Sequence, residues 1–366
     1  MDAAIAALSH LSVTQKALAL IAVGGVALFM LAAMLALVLP ARLAFAAVAG
    51  TVAIALAYLL LRPIVTYDLG PRPAPAADHA AALARFAADA AADPTPLNPL
   101  CHPRLLDHGE RRPVAVVLLH GVSSCPQAFV DLAPALFARG HNVIAPRMPQ
   151  NGYADRATDA LARMTAGELR AWGDAAVDVA AGLGDEVVVL GISAGGTVAA
   201  WTAANRPEVA RAVVVAPLFG LPGFGARAND LLTRIMLFLP NVSVWKDPLR
   251  RAAWEGMPHA YARQATRGTG EILRLARATL ERLAEAPPAG GSLALVTNAA
   301  DRAISLPAAD RFGDLWAASG KPLTRYVFPV EDRLGHEIID PMEPGADPAL
   351  TYPVLIDLVE TPAADR

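Results

Sequence analysis

The stretch Glu186-Val-Val-Val-Leu-Gly-Ile-Ser193-Ala-Gly-Gly-Thr197 decides how the rest of the chain is read. Val187 to Leu190 is a short β-branched run, the signature of a fully buried strand. Gly191-Ile192-Ser193-Ala194-Gly195 follows, and Gly196 to Ala204 reads as a helix. A serine between two glycines, with a strand before it and a helix after it, is the setting of a nucleophile elbow. Only small residues fit on either side of the serine in so tight a turn. The turn holds the hydroxyl above the sheet, at a helix N-terminus where backbone N–H groups stabilise an anion. In a chain rich in Gly and Ala the bare pentapeptide arises by chance, so the flanking strand and helix give it its meaning.

The same alternation extends on both sides. Val114 to Leu119 is a buried strand ending in His120-Gly121, and Phe129 to Ala138 reads as a helix stopped by Gly140. Asn142 to Ala145 is a strand and Pro146 to Gly152 a loop. Thr165 to Leu183 is a helix opened by the capping box Thr165-Ala-Gly-Glu168. Val209 to Ala216 is another strand. Strands apolar on both faces, alternating with helices, predict an α/β fold with a doubly wound, mostly parallel sheet. The alternation breaks at Pro217, and 218–291 reads as a helical cap with an apolar stripe over Glu271 to Ala286 and an apolar run at Leu231 to Leu239. Ser292 to Asn298 resumes the sheet, followed by a helix at Ala308 to Ser319, a strand at Leu323 to Val330 and a helix at Tyr352 to Val359.

A serine needs a base in reach and a group to orient that base. Of the eight histidines only His336 lies beyond the cap, just past the last strand. For the orienting carboxylate, Asp301 follows Ser292 to Asn298 by a short loop, at the strand end where an open parallel sheet gathers its site. Asp310 and Asp314 fall within the next helix, and Asp332 follows the last strand; these are the competitors. The oxyanion needs two backbone donors, expected as the N–H groups of Ala194 and Val122. His120 is expected to brace that loop. His102-Pro-Arg-Leu-Leu-Asp107 fits an H-x4-D acyltransferase pattern but stands alone in a proline-rich stretch, and reads as coincidence.

Leu118-Leu-His-Gly-Val-Ser-Ser-Cys-Pro-Gln127, Ala145-Pro-Arg-Met-Pro149, Gly191-Ile-Ser-Ala-Gly-Gly196, Asp301 and Gly335-His336, in this order, resemble the α/β-hydrolase superfamily. They are most similar to its bacterial carboxylesterase and monoacylglycerol-lipase-like members. The resemblance covers Val114 to Val330 and His336, and is specific for fold and serine chemistry but not for substrate. Gln150-Asn151-Gly152 departs from the His-Gly often found there. The resemblance implies an acyl-enzyme hydrolase that needs no metal or cofactor.

The chain of 366 residues is 55% hydrophobic and 18% charged, with mean hydropathy +0.39 and net charge −3. No basic excess suggests nucleic acid, and so apolar a composition suggests a membrane segment. Residues 17–39 and 43–61 carry no charge and are each long enough to cross a bilayer as a helix. They predict a transmembrane hairpin over 1–62, a Pro/Ala-rich linker over 63–112 and a hydrolase domain over 113–366. The expected location is a bacterial inner membrane; flanking Lys16, Arg62 and Arg72 lean towards a cytoplasmic catalytic side. Cys101 and Cys125 flank the first core strand. Bridged, they would clip the linker to the site loop in an oxidising compartment; as unrelated thiols they carry no such implication. Two cysteines without close companions do not make a zinc site. The function expected is a membrane-anchored serine hydrolase cleaving small-molecule or lipid esters through an acyl-enzyme on Ser193. The alternatives are an acyltransferase or thioesterase with the same three residues, and a lipid-binding domain without turnover.

Overall fold

A computed structural model describes residues 40–246 and 256–361. The chain divides into two compact units, Met1–Pro63 and Ile64–Arg366. In the first unit the described part is one helix, α1 (Ala41–Leu61). The second begins with α2 (His79–Ala91) and a short strand β1 (Arg104–Leu106). Then come β2 (Arg112–Leu119), α3 (Leu132–Phe137), β3 (Asn142–Ala145), α4 (Ala166–Leu183), β4 (Gly184–Ile192), α5 (Ala194–Asn205) and β5 (Val209–Val215). The cap contributes α6 (Ala226–Phe238), the short strands β6 (Ser243–Trp245) and β7 (Arg263–Ala265), and α7 (Thr266–Glu285). β8 (Ser292–Asn298), α8 (Leu306–Ala318), β9 (Leu323–Phe328) and α9 (Pro348–Glu360) complete it.

The expected transmembrane hairpin is corrected. Its first arm, 17–39, lies outside the described residues. Its second falls in α1, and among the described residues no helix is long and apolar enough to cross a membrane. The membrane anchor, membrane partner and inner-membrane location are therefore not carried forward. The reading rested on two uncharged runs and an apolar overall composition.

The sheet has seven strands in the order β1-β3-β2-β4-β5-β8-β9. All neighbours are parallel except the edge pair β1 and β3. β4 is central, and Val187 to Leu190 within it are fully buried, as β-branched strands covered on both faces require. Register pairs Leu119 with Gly191, Ile192 with Val215, and Val215 with Val296. The carboxyl ends of β2, β4, β5, β8 and β9 thus lie along one edge, and the residues after them share one crevice.

Four short elements differ from expectation. The helix expected over 129–138 starts at Leu132, after a 3₁₀ turn at Pro126–Phe129. Pro134 lacks an N–H and fits only a first helical turn, so the helix begins just before it. β6 and β7 pair antiparallel inside the cap, where only helices were expected. β1 runs through the His102–Asp107 stretch, and Asp107 bonds His79 at 2.8 Å.

The proline-rich stretch before β1 is pinned to the sheet domain. Arg72 and Ala74 donate their N–H groups to the carboxylates of Asp174 and Asp178 on α4. Those two acids hold the fully buried guanidinium of Arg206, at 2.7 and 2.5 Å, and Glu208 holds it from a third side. An arginine so buried is tolerable only with its charge paired and its N–H groups satisfied.

Candidate active site

The residues after β4 take the expected turn. Ser193 has φ 57° and ψ −118°, a left-handed backbone that costs a non-glycine residue about 1–3 kcal/mol. Surrounding hydrogen bonds hold it there: Ser193 N–H donates to Val215 O at 3.0 Å, and Thr197 and Leu218 N–H both donate to Ser193 O. Gly195 is required by crowding, since a Cβ on it would lie 2.0 Å from Leu119 O. Ala194 opens α5, and no intrahelical carbonyl can reach the N–H of a first helical residue.

Asp301 follows β8, with its side chain wholly buried. Ala303 N–H donates to its Oδ1 at 2.7 Å, and its Oδ2 lies 2.7 Å from His336 Nδ1. A carboxylate facing Nδ1 fixes the neutral ring with its proton there, leaving Nε2 as the acceptor. Burial pulls the pKa of His336 down, but the hydrogen bond and charge of Asp301, with Glu337 and Glu343 adding, raise it above the ordinary histidine value. Asn298, at the end of β8, donates to Leu334 O at 2.9 Å and Gly335 O at 2.7 Å, fixing the loop that carries His336. The rival acids lie elsewhere: Asp310 and Asp314 bond Arg325 on the surface, and Asp332 sits in a 3₁₀ turn.

The loop after β2 forms the opposite wall. Met148 N–H donates to His120 Nε2 at 2.9 Å, so the ring proton is on Nδ1 and reaches Gly121 O at 2.8 Å. Burial drops the pKa of His120 to about 3, and it stays a neutral brace. Ser123, at φ 65°, gives its N–H to Asn151 Oδ1 at 2.7 Å and accepts from Tyr261 N–H at 2.8 Å. Asn151 belongs to the Gln150-Asn151-Gly152 departure, whose bracing part was not apparent from sequence. Cys101 and Cys125 are bonded to each other, with Cα atoms 5.3 Å apart, and tie the residues before β1 to this loop.

Ser193, His336 and Val122 line one cavity of about 210 Å³, with Leu218, Met257 and Ala260. Two larger cavities, of about 880 and 680 Å³, are lined by neither Ser193 nor His336. Among the described residues no group of three or more His, Cys, Asp or Glu side chains could hold a metal ion.

Solved structures of known proteins resemble the chain in fold. A monoacylglycerol lipase of Paleococcus ferrophilus is 17% identical, with TM-score 0.52 over 70% of this chain and 97% of its own. A soluble variant of the Saccharomyces cerevisiae monoglyceride lipase, in complex with a substrate analogue, is 12% identical, with TM-score 0.53 over 70% and 90%. A structure from the metagenome-derived lipolytic enzymes LipS and LipT is 18% identical, with TM-score 0.51 over 72% and 98%. At these identities the likeness is one of fold. No curated protein sequence matches. The sequence profile of the alpha/beta hydrolase family matches residues 116–352. Most of the chain lies within that match, so the chain belongs to the alpha/beta hydrolase family and is, by that membership, a hydrolytic enzyme acting on esters.

Proposed function

We propose that the chain cleaves small carboxylic esters through an acyl-enzyme on Ser193, with His336 as base, Asp301 as its orienting acid, and the N–H groups of Val122 and Ala194 as oxyanion donors. One observation carries the reading: a serine in a strained elbow and a histidine held by a buried aspartate line the same cavity. In the first step Ser193 Oγ bonds to the ester carbonyl carbon and its proton passes to His336 Nε2. The carbonyl oxygen takes the negative charge beside the two N–H donors. The carbonyl re-forms, the C–O bond to the alcohol breaks, and the alcohol leaves with the proton from Nε2. Water then gives a proton to Nε2 and its oxygen to the acyl carbon, and the acid departs as Ser193 recovers its proton.

The cavity has room for about seven waters at ~30 Å³ each, which suits a short acyl group. p-Nitrophenyl esters from acetate to long-chain acids, given to wild type and Ser193→Ala, test this. Rates should peak at the short esters and fall at least about 10³-fold in the variant. A fluorophosphonate should label wild type alone. Undiminished turnover by folded Ser193→Ala would remove the proposal.

A further inference from the structure

The wall of the cavity that faces the nucleophile is acidic. A Cβ placed on Gly121 would lie 3.4 Å from Ser193 Cβ and 3.7 Å from Glu337 Oε2, so both side chains flank one bare face of the backbone. Glu337 and Glu343 line the cavity together, with Lys246 exposed at its rim. Ile339 N–H donates to Glu337 Oε1 at 3.2 Å. No Lys, Arg or His lies within ion-pair distance of either glutamate among the described residues. Asp301 and Asp340 stand behind them.

Two carboxyls with no cation in contact among the described residues, in the cavity that Ser193 lines, complement a substrate with positive charge near its ester. A bare lipid chain would leave both of them desolvated and uncompensated. We propose that Glu337, supported by Glu343, is the specificity-determining residue of this pocket, and that the preferred substrates are small esters bearing a cationic group a few bonds from the scissile carbonyl. This rests on the ester-hydrolase reading above and names the substrate class for it.

The preference depends on pH. Burial pushes the carboxyl of Glu337 up to about 7, partly opposed by His336. Burial also raises Glu343, with Lys246 opposing. The charged or titratable groups facing Glu337 are His336, Asp340, Glu343, Lys246 and Tyr352. As pH rises through about 7 Glu337 loses its proton, and the wall gains negative charge. His336 loses positive charge over the same direction of pH. Both changes favour a cation.

The test compares two butyrate esters of equal shape, those of 2-(trimethylammonio)ethanol and 3,3-dimethylbutanol, between about pH 6 and pH 9. The kcat/KM ratio of cationic to neutral ester should exceed about tenfold at the upper end and decline on acidification. The preference should reside mainly in KM, because the charge lies outside the reacting atoms. Glu337→Gln should bring the ratio to near one and remove most of its pH dependence. Lys246→Met, at an exposed position, should raise the ratio. A flat ratio in wild type, an unchanged ratio in Glu337→Gln, or a lower one in Lys246→Met would overturn the proposal while leaving ester hydrolysis intact. Failure of the folded protein to turn over either ester would overturn the hydrolase reading, and this one with it.

Discussion

Two of the histidine–aspartate pairs among the described residues have equal bond lengths and opposite circumstance. His336 Nδ1 lies 2.7 Å from Asp301 Oδ2, and His259 Nε2 lies 2.7 Å from Asp340 Oδ2. His336 has a quarter of its side chain exposed and lines the cavity with Ser193. His259 and Asp340 are entirely buried, and His259 Nδ1 has no hydrogen-bond partner among the described residues. The segment that carries His259 is tied down on both sides of it. Asn98 Nδ2 donates to Pro258 O, Arg156 donates to the carbonyls of Gly256, Met257 and Ala260, and Tyr261 N–H reaches Ser123 O. Asp340 comes from the loop that carries His336. The buried pair thus joins the cap segment to the loop that carries His336, while the open pair lines the cavity with Ser193. A carboxylate on an imidazole does not mark a catalytic group by itself; access to a reacting atom does.

Substitution separates the two pairs most sharply in rate. His336→Gln should lower kcat on p-nitrophenyl acetate by about 10³-fold or more, and Asp301→Asn by about 10⁴-fold, since the amide favours the wrong tautomer. Asp301→Asn, which leaves no buried carboxylate unpaired, should melt near wild type. His259→Gln should do the reverse, keeping kcat per folded molecule within a small factor. Its unfolding free energy should fall by about 3–5 kcal/mol, the cost of leaving one member of a buried pair without its partner. Denaturant titration beside active-site titration measures both quantities. A His259→Gln rate as low as that of His336→Gln would erase the distinction.

The disulfide offers a smaller perturbation on the fastener side. Cys101 Sγ lies 3.5 Å from His259 O, and the bond spans 24 residues of chain. Closing a loop of that size stabilises by about 3 kcal/mol in the chain-entropy account. Cys101→Ala with Cys125→Ala should therefore lower stability by about 2–4 kcal/mol. Reductant should lower wild-type stability by a similar amount and leave the double variant unchanged. The reductant control assigns the loss to the bond.

The two pairs differ as much in how readable they were. Ser193 is announced by an elbow between two predictable elements, and Asp301 and His336 by their order after β8 and β9. These are local signals on strands whose β-branched runs are buried on both faces. His259, Asp340, Asn151, Asn298 and Glu337 carry no such signal, because they act through contacts between segments far apart in sequence. Asn298 left one trace, a polar residue closing an otherwise apolar strand. β1, β6 and β7, each of three residues, are too short for periodicity to register. The transmembrane hairpin was read from two uncharged runs and an apolar composition; the first arm lies outside the described residues, and among those described no helix is long and apolar enough to cross a membrane.

The smallest effect expected is a shift in pH dependence, and it distinguishes the pairs without large damage to either. The proposed mechanism needs His336 Nε2 unprotonated, so the rate on a neutral ester should rise with pH through the raised pKa of His336, above the ordinary value of about 6.5. Stability moves the other way. A folded-state pKa above the unfolded one makes the protonated form stabilising, an effect complete below the unfolded pKa and lost as pH rises through the folded one. Glu337→Gln removes one of the charges that hold His336 up, so the rising limb should move to lower pH. Asp301→Asn removes both the hydrogen bond and a charge, and should move it further within its small residual rate. His259→Gln should leave the limb where it is. A limb that moved equally in Glu337→Gln and His259→Gln would show the two pairs to be electrostatically one, and the division between an open pair and a buried fastener would fail.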